Sequence, residues 1–292
     1  MSFSYIRTNN DAAPYSIVFG LDNNLWFTEN KANIISKLTP TGEITDFVLP
    51  TQNSGVSLIT AAEQGAYFTE YQANKVGYIA YDGYIAEYPL SDNCSPYGIT
   101  VDDEGAVWFT CMGSNQIGRI LENHTDYFDI PTPACYPSFI TYGADNAVWF
   151  TENQGNRIGR ITKKGEIKEY ALPTSGSAPV GIASGKDSVW FTEIMGNRIG
   201  EIGYDGDMAE FDLTTANAMP HAIVVAGSGL VAFTKWGVNR IGVITQNGEL
   251  SEYKIHTPST EPHGLAFDNQ GQLWFALESG AIGRLIVHQA IQ

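Results

Sequence analysis

The sequence predicts an all-β fold, a seven-bladed β-propeller with four antiparallel strands per blade, and three observations predict it. A four-residue aromatic step recurs seven times at near-constant spacing. Each repeat contains four short apolar or alternating runs separated by turn residues. The last repeat ends one strand short, and the chain begins with a strand-like run that belongs to no repeat. Together these make residues 1–292 one propeller domain.

The recurring step is Trp26-Phe27-Thr28-Glu29, followed by copies beginning at Tyr67, Trp108, Trp149, Trp190, Ala232 and Trp274, at offsets of 41, 41, 41, 41, 42 and 42 residues. Upstream of it lies a Pro-x-small-Ile step, as in Pro96-Tyr97-Gly98-Ile99 and Pro179-Val180-Gly181-Ile182; the second repeat has Val56-Ser57-Leu58-Ile59 instead. Downstream come an Asn-x-Ile-Gly-Arg step, as in Asn156 to Arg160, and then a Gly turn leading into a Glu-Tyr or Glu-Phe run. Four short runs bounded by turn residues read as four antiparallel strands, A to D. A period of 40–45 residues with four strands per repeat is the signature of propeller blades. The second-strand Trp is expected to pack between neighbouring blades, and the Ile-Gly of the third strand to let blades sit close.

The seventh repeat stops after its third run, near Arg284-Leu285-Ile286-Val287. The opening run Phe3-Ser4-Tyr5-Ile6-Arg7 is therefore expected to supply its fourth strand and close the ring.

Composition narrows the function classes. The net charge of −16 opposes binding to nucleic acid or an anionic membrane surface, and suits retention of a cation. No apolar run approaches a membrane span. The opening residues lack a basic segment followed by an apolar stretch, so no secretory signal is expected. Three sparse cysteines, Cys94, Cys111 and Cys135, read as reduced thiols of a cytoplasmic protein. A closed ring needs no partner for stability, which predicts a monomer.

Most repeated residues serve the fold, so function is sought where the repeats differ. In an up-and-down sheet the D-to-A and B-to-C connections share one face. The residue after the proline then rings the channel mouth: Tyr15, Ser57, Tyr97, Ser138, Val180, His221 and His263. The other histidines, His124, His256 and His288, fall in outer or tail positions. The residue before the proline is acidic only in blade 7, at Glu261, and the B-to-C loop residue is acidic only there too, at Glu278. Glu261 and His263 are two apart on an expected extended segment fixed by Pro262, which points both the same way. Two converging carboxylates suit Mg²⁺, and a neighbouring histidine suits a general base.

At these residues the chain resembles the virginiamycin B lyase (streptogramin B lyase) family. The resemblance spans the whole chain and is sharpest at Pro220-His221-Ala222-Ile223, Glu261-Pro262-His263-Gly264 and Trp274 to Glu278. It implies a carbon–oxygen lyase that opens cyclic depsipeptide antibiotics of the streptogramin B type by elimination at the threonyl ester, giving resistance. It also implies roles: Glu261 and Glu278 as Mg²⁺ ligands, His263 as general base and His221 as a substrate contact. Tyr15, Tyr97 and Trp236 on the same face are expected to pack against the antibiotic. Blade 6 departs from the pattern at Ala232, Lys235 and Val243. Lys235 is expected beside Trp236 on the functional face, where it bears on substrate fit. Two other readings stand beside this one: a lyase or lactonase acting on another cyclic ester, and a non-enzymatic binding propeller.

Overall fold

The computed structural model describes residues 3–8, 12–122, 124–245, 247–256 and 260–286 of the chain. His288 and Val287 lie outside them. The described residues form seven separate four-stranded antiparallel sheets arranged as a ring. Blades 1 to 6 each use four consecutive strands, A to D; in blade 4 these are Pro137–Tyr142, Ala147–Glu152, Arg157–Thr162 and Ile167–Ala171. Blade 7 is composite. Its strands Pro262–Phe267, Leu273–Leu277 and Ala281–Leu285 are completed by Phe3–Arg7, which pairs antiparallel with the third, Phe3 opposite Leu285 and Arg7 opposite Ala281. The opening strand thus closes the ring, as the sequence requires. Strand A of blade 7 packs on strand A of blade 1. No described helix is long and apolar enough to cross a membrane.

The second-strand aromatic does pack between blades. Trp26 lies in a cluster with Val56, Ile59 and Phe68 of blade 2, and Trp149 with Ile182 and Phe191 of blade 5. The third-strand glycine has a different purpose from the one expected. Gly159 sits opposite Phe150 in the strand register, and a Cβ there would fall within that ring. It makes room for an aromatic of its own blade. Close approach between blades depends instead on the small residue of strand A. A Cβ on Gly264 would stand 2.8 Å from the Cα of Ser16 and the carbonyl oxygen of Tyr15 in blade 1.

Blades 2 to 5 each also carry a buried pair at the top of strand B. Glu70, Glu152 and Glu193, all fully buried, meet Ser54, Cys135 and Ser177 at the start of the same blade. In blade 3 both partners are cysteines, and Cys94 and Cys111 form a disulfide with their Cα atoms 4.4 Å apart. Only Cys135 is a free thiol, and it is buried. The expectation of three reduced thiols is thus corrected. Residues 17 apart in sequence are brought together by the same blade geometry that elsewhere joins Ser to Glu, so the cysteine count carries no weight for compartment.

The departures in blade 6 compensate one another. In most blades a basic residue on strand C lies over the strand-B aromatic, as Arg160 lies over Trp149 with its guanidinium 5.7 Å from the ring centroid. In blade 6 the register partners are Ala232 and Val243, both buried, so an apolar pair replaces the cation–π pair. Lys235 is fully buried and ion-paired with Glu252 of strand D. It is part of the blade interior and does not face the substrate side, which corrects the expectation that it bears on substrate fit.

Candidate active site

One backbone device, repeated seven times, builds the functional face. The residue before each strand A is left-handed: Ala13, Gly55, Ser95, Tyr136, Ala178, Met219 and Glu261 have φ between 36° and 68°. Such a conformation is costly for a residue with a Cβ. Here it aims the residue's carbonyl at the B-to-C loop, whose first N–H donates to it in every blade. In blade 7 the pair is Glu278 N–H to Glu261 C=O, at 3.3 Å. The two acidic positions are therefore joined by a backbone hydrogen bond, and their side chains leave from adjacent points. Glu261, with φ 36°, precedes the strand and is not extended. The convergence of Glu261 and His263 comes from this turn, not from strand alternation.

The ring of residues after the proline is held by the neighbouring blade. The Thr192 hydroxyl of blade 5 donates to the carbonyl of His221 at 2.8 Å, and Thr69 and Thr110 do the same for Tyr97 and Ser138. His221 and His263, only 7% and 5% exposed, lie with ring centroids 5.5 Å apart. The Tyr15 ring lies 4.5 Å from that of His263, and its hydroxyl is 2.5 Å from that of Tyr97. Trp236, on a short 3₁₀ turn over Trp236–Val238, stands 5.7 Å from His221 and 5.8 Å from His263. All four expected site residues, with Tyr15, Tyr97 and Trp236, thus meet at one mouth.

Glu261, His263 and Glu278 offer ligand atoms that all lie within 4.8 Å of one another. His263 Nε2 is 3.3 Å from Glu278 Oε2. The sequence reading missed one member. Lys31, from the B-to-C loop of blade 1, reaches across the seam and places Nζ 3.0 Å from Glu278 Oε1. Its signal was available, because it is the residue after the loop position that was compared around the ring, and blade 1 adjoins blade 7.

The charges follow from this packing. Burial raises the Glu278 carboxyl, but the Lys31 ammonium, with Glu261 and His263 beside it, outweighs burial and holds its pKa at about 2. Burial lowers His263, with Glu278 and Glu261 partly restoring it, so it stays below the ordinary imidazole value. Burial, then His263, depress His221 to about 3. Both imidazoles are therefore neutral at physiological pH, and Glu278 is a full anion. The Nδ1 atoms of both histidines are buried without a hydrogen-bond partner, so the reactive edge of His263 is Nε2.

The model of the virginiamycin B lyase family matches residues 3–285. The chain belongs to that family. A streptogramin B lyase structure is 43% identical, with 98% of each chain covered and a TM-score of 0.96. Virginiamycin B lyase from Staphylococcus aureus is 43% identical over 98% of this chain and 99% of that one, at a TM-score of 0.94. A catalytically inactive histidine-to-alanine variant of the Staphylococcus aureus enzyme, with quinupristin, is 44% identical over 98% of this chain and all of that one, at 0.92. Among curated protein sequences no match is found. Membership makes this chain a lyase-family propeller and places the constellation of blade 7 on a scaffold shared with virginiamycin B lyases.

Proposed function

We propose that the protein is a Mg²⁺-dependent carbon–oxygen lyase that linearises streptogramin B antibiotics. The observation that carries this reading is the placement of His263 Nε2 beside Glu278 in a cluster with Glu261, at a mouth lined with aromatic rings. Family membership and the quinupristin complex of a relative support the substrate class.

The donor set fits the ion. Two carboxylates with an imidazole close by offer hard oxygen ligands on one side only, and Mg²⁺ is commonly held by one or two carboxylates while keeping several waters. Glu261 and Glu278 would hold it, and when bound it would draw electron density from the substrate oxygens as the α-proton leaves.

The chain's own residues do the rest. Neutral His263 takes the α-proton of the ester-linked threonine at Nε2, its accessible nitrogen. Glu278, 3.3 Å away, accepts the new N–H bond and stabilises the imidazolium. The electron pair of the broken C–H bond forms the Cα–Cβ double bond, and the Cβ–O bond breaks to release a carboxylate. No water is consumed. His221 and Trp236, packed edge to face, orient the antibiotic, and Tyr15 fixes the His263 ring. The scaffold closes without a partner chain, which favours a monomeric enzyme.

The deciding experiment is mass spectrometry of quinupristin incubated with the protein, with and without EDTA. A ring-opened product of unchanged mass, absent with EDTA and with His263→Ala, is expected. A product heavier by one water would make the protein a lactonase.

A further inference from the structure

We propose that Lys31 is an internal counter-cation that competes with the divalent ion for Glu278 and so sets the concentration at which the site loads. The inference rests on the cation reading above and goes beyond it to a residue of another blade.

The position of Lys31 in its loop is basic in blade 1 alone. Its counterparts are Gln72, Gly113, Gln154, Met195, Gly237 and Ser279. Blade 1 is also the blade that meets blade 7 at the closure, so this one cation falls beside the one pair of acidic mouth residues. Both oxygens of Glu278 are engaged: Oε1 by Lys31 at 3.0 Å and Oε2 by His263 at 3.3 Å. An ion held by Glu261 and Glu278 draws on the charge of that same carboxylate and repels the ammonium beside it, so the two cations compete.

Lys31 is built to be displaced. Its side chain is 60% exposed, against 32% for Glu278, and its flexible stem can return the ammonium to water at small cost. An exposed ion pair of this kind changes ion affinity by about fivefold at most, enough to tune ion binding without blocking it. With Lys31 in place the two carboxylates and the lysine sum to −1; without it they sum to −2, which favours a divalent ion. A lysine that only oriented Glu278 would have the opposite effect, because its removal would weaken ion binding.

The test is calorimetric titration of Mg²⁺ into the wild type, Lys31→Met, Lys31→Arg and Glu278→Gln, with melting temperatures recorded in EDTA and in Mg²⁺. Lys31→Met is expected to bind Mg²⁺ up to about fivefold more tightly, to melt lower in EDTA, and to gain more from Mg²⁺ than the wild type. Lys31→Arg should stay near the wild type, and Glu278→Gln should lose binding. If Lys31→Met binds equally or more weakly while Glu278→Gln loses binding, the counter-cation role is wrong and the ion site stands. If no variant binds Mg²⁺, the ion site and the inference fall together.

Discussion

Replacing Glu152 by Gln tests the ionisation of the carboxyls buried at the top of strand B. Glu152 is fully buried, with its carboxyl against Cys135. Burial first, then repulsion from Glu169, raises its pKa from 4.5 to about 8. Between those values the folded protein holds a proton that the unfolded chain has released. The associated stability is therefore fully present below pH 4.5 and is lost as the pH rises through 8. At 1.36 kcal/mol per unit, this group alone costs the wild type about 2–3 kcal/mol between pH 6 and pH 9. Gln copies the shape of the protonated acid and does not titrate. Urea unfolding at the two pH values measures the difference: Glu152→Gln should gain about 2–3 kcal/mol relative to the wild type on going to pH 9. Parallel pH dependence of the two proteins would refute the reasoning. Glu29, Glu70 and Glu193, each raised to about 7 chiefly by burial, should behave alike at slightly lower pH.

Three further outcomes are expected. Because His263 must be neutral to act and its pKa lies below 6.5, kcat/KM for ring opening should stay level through neutrality and decline only below pH 6.5; an acid limb centred at or above 6.5 would remove His263 as the base. Trp236→Ala should raise KM about tenfold and lower kcat less, since an aromatic wall contributes mainly to binding; an unchanged KM would show that the ring does not touch the substrate. Joint replacement of Cys94 and Cys111 by Ala should lower the unfolding free energy by about 3 kcal/mol, as expected for a short covalent loop. Equal stability of the double variant and the wild type would mean that the bond does not form in solution.

The sequence by itself determined the ring. Seven copies of one step fix the blade number, and alternating runs between turn residues fix four strands per blade, because both depend only on local patterning. The missing last strand and the orphan Phe3–Arg7 run were legible for the same reason. So were Glu261, His263, Glu278 and His221, because a repeat makes its exceptions visible and connectivity alone assigns them to one face. Only the tertiary structure decided how these residues meet. The left-handed turn at Glu261 is set by a hydrogen bond to a loop 17 residues away. Lys31 enters through contact between the first and last blades, which are neighbours only once the ring has closed. Cys94 with Cys111 and Ala232 with Val243 were read singly in the sequence and proved to be pairs, and Lys235 found its partner in Glu252. A residue's partner depends on strand register and blade contact, and those distances are set by the folded ring, not by the order of residues along the chain.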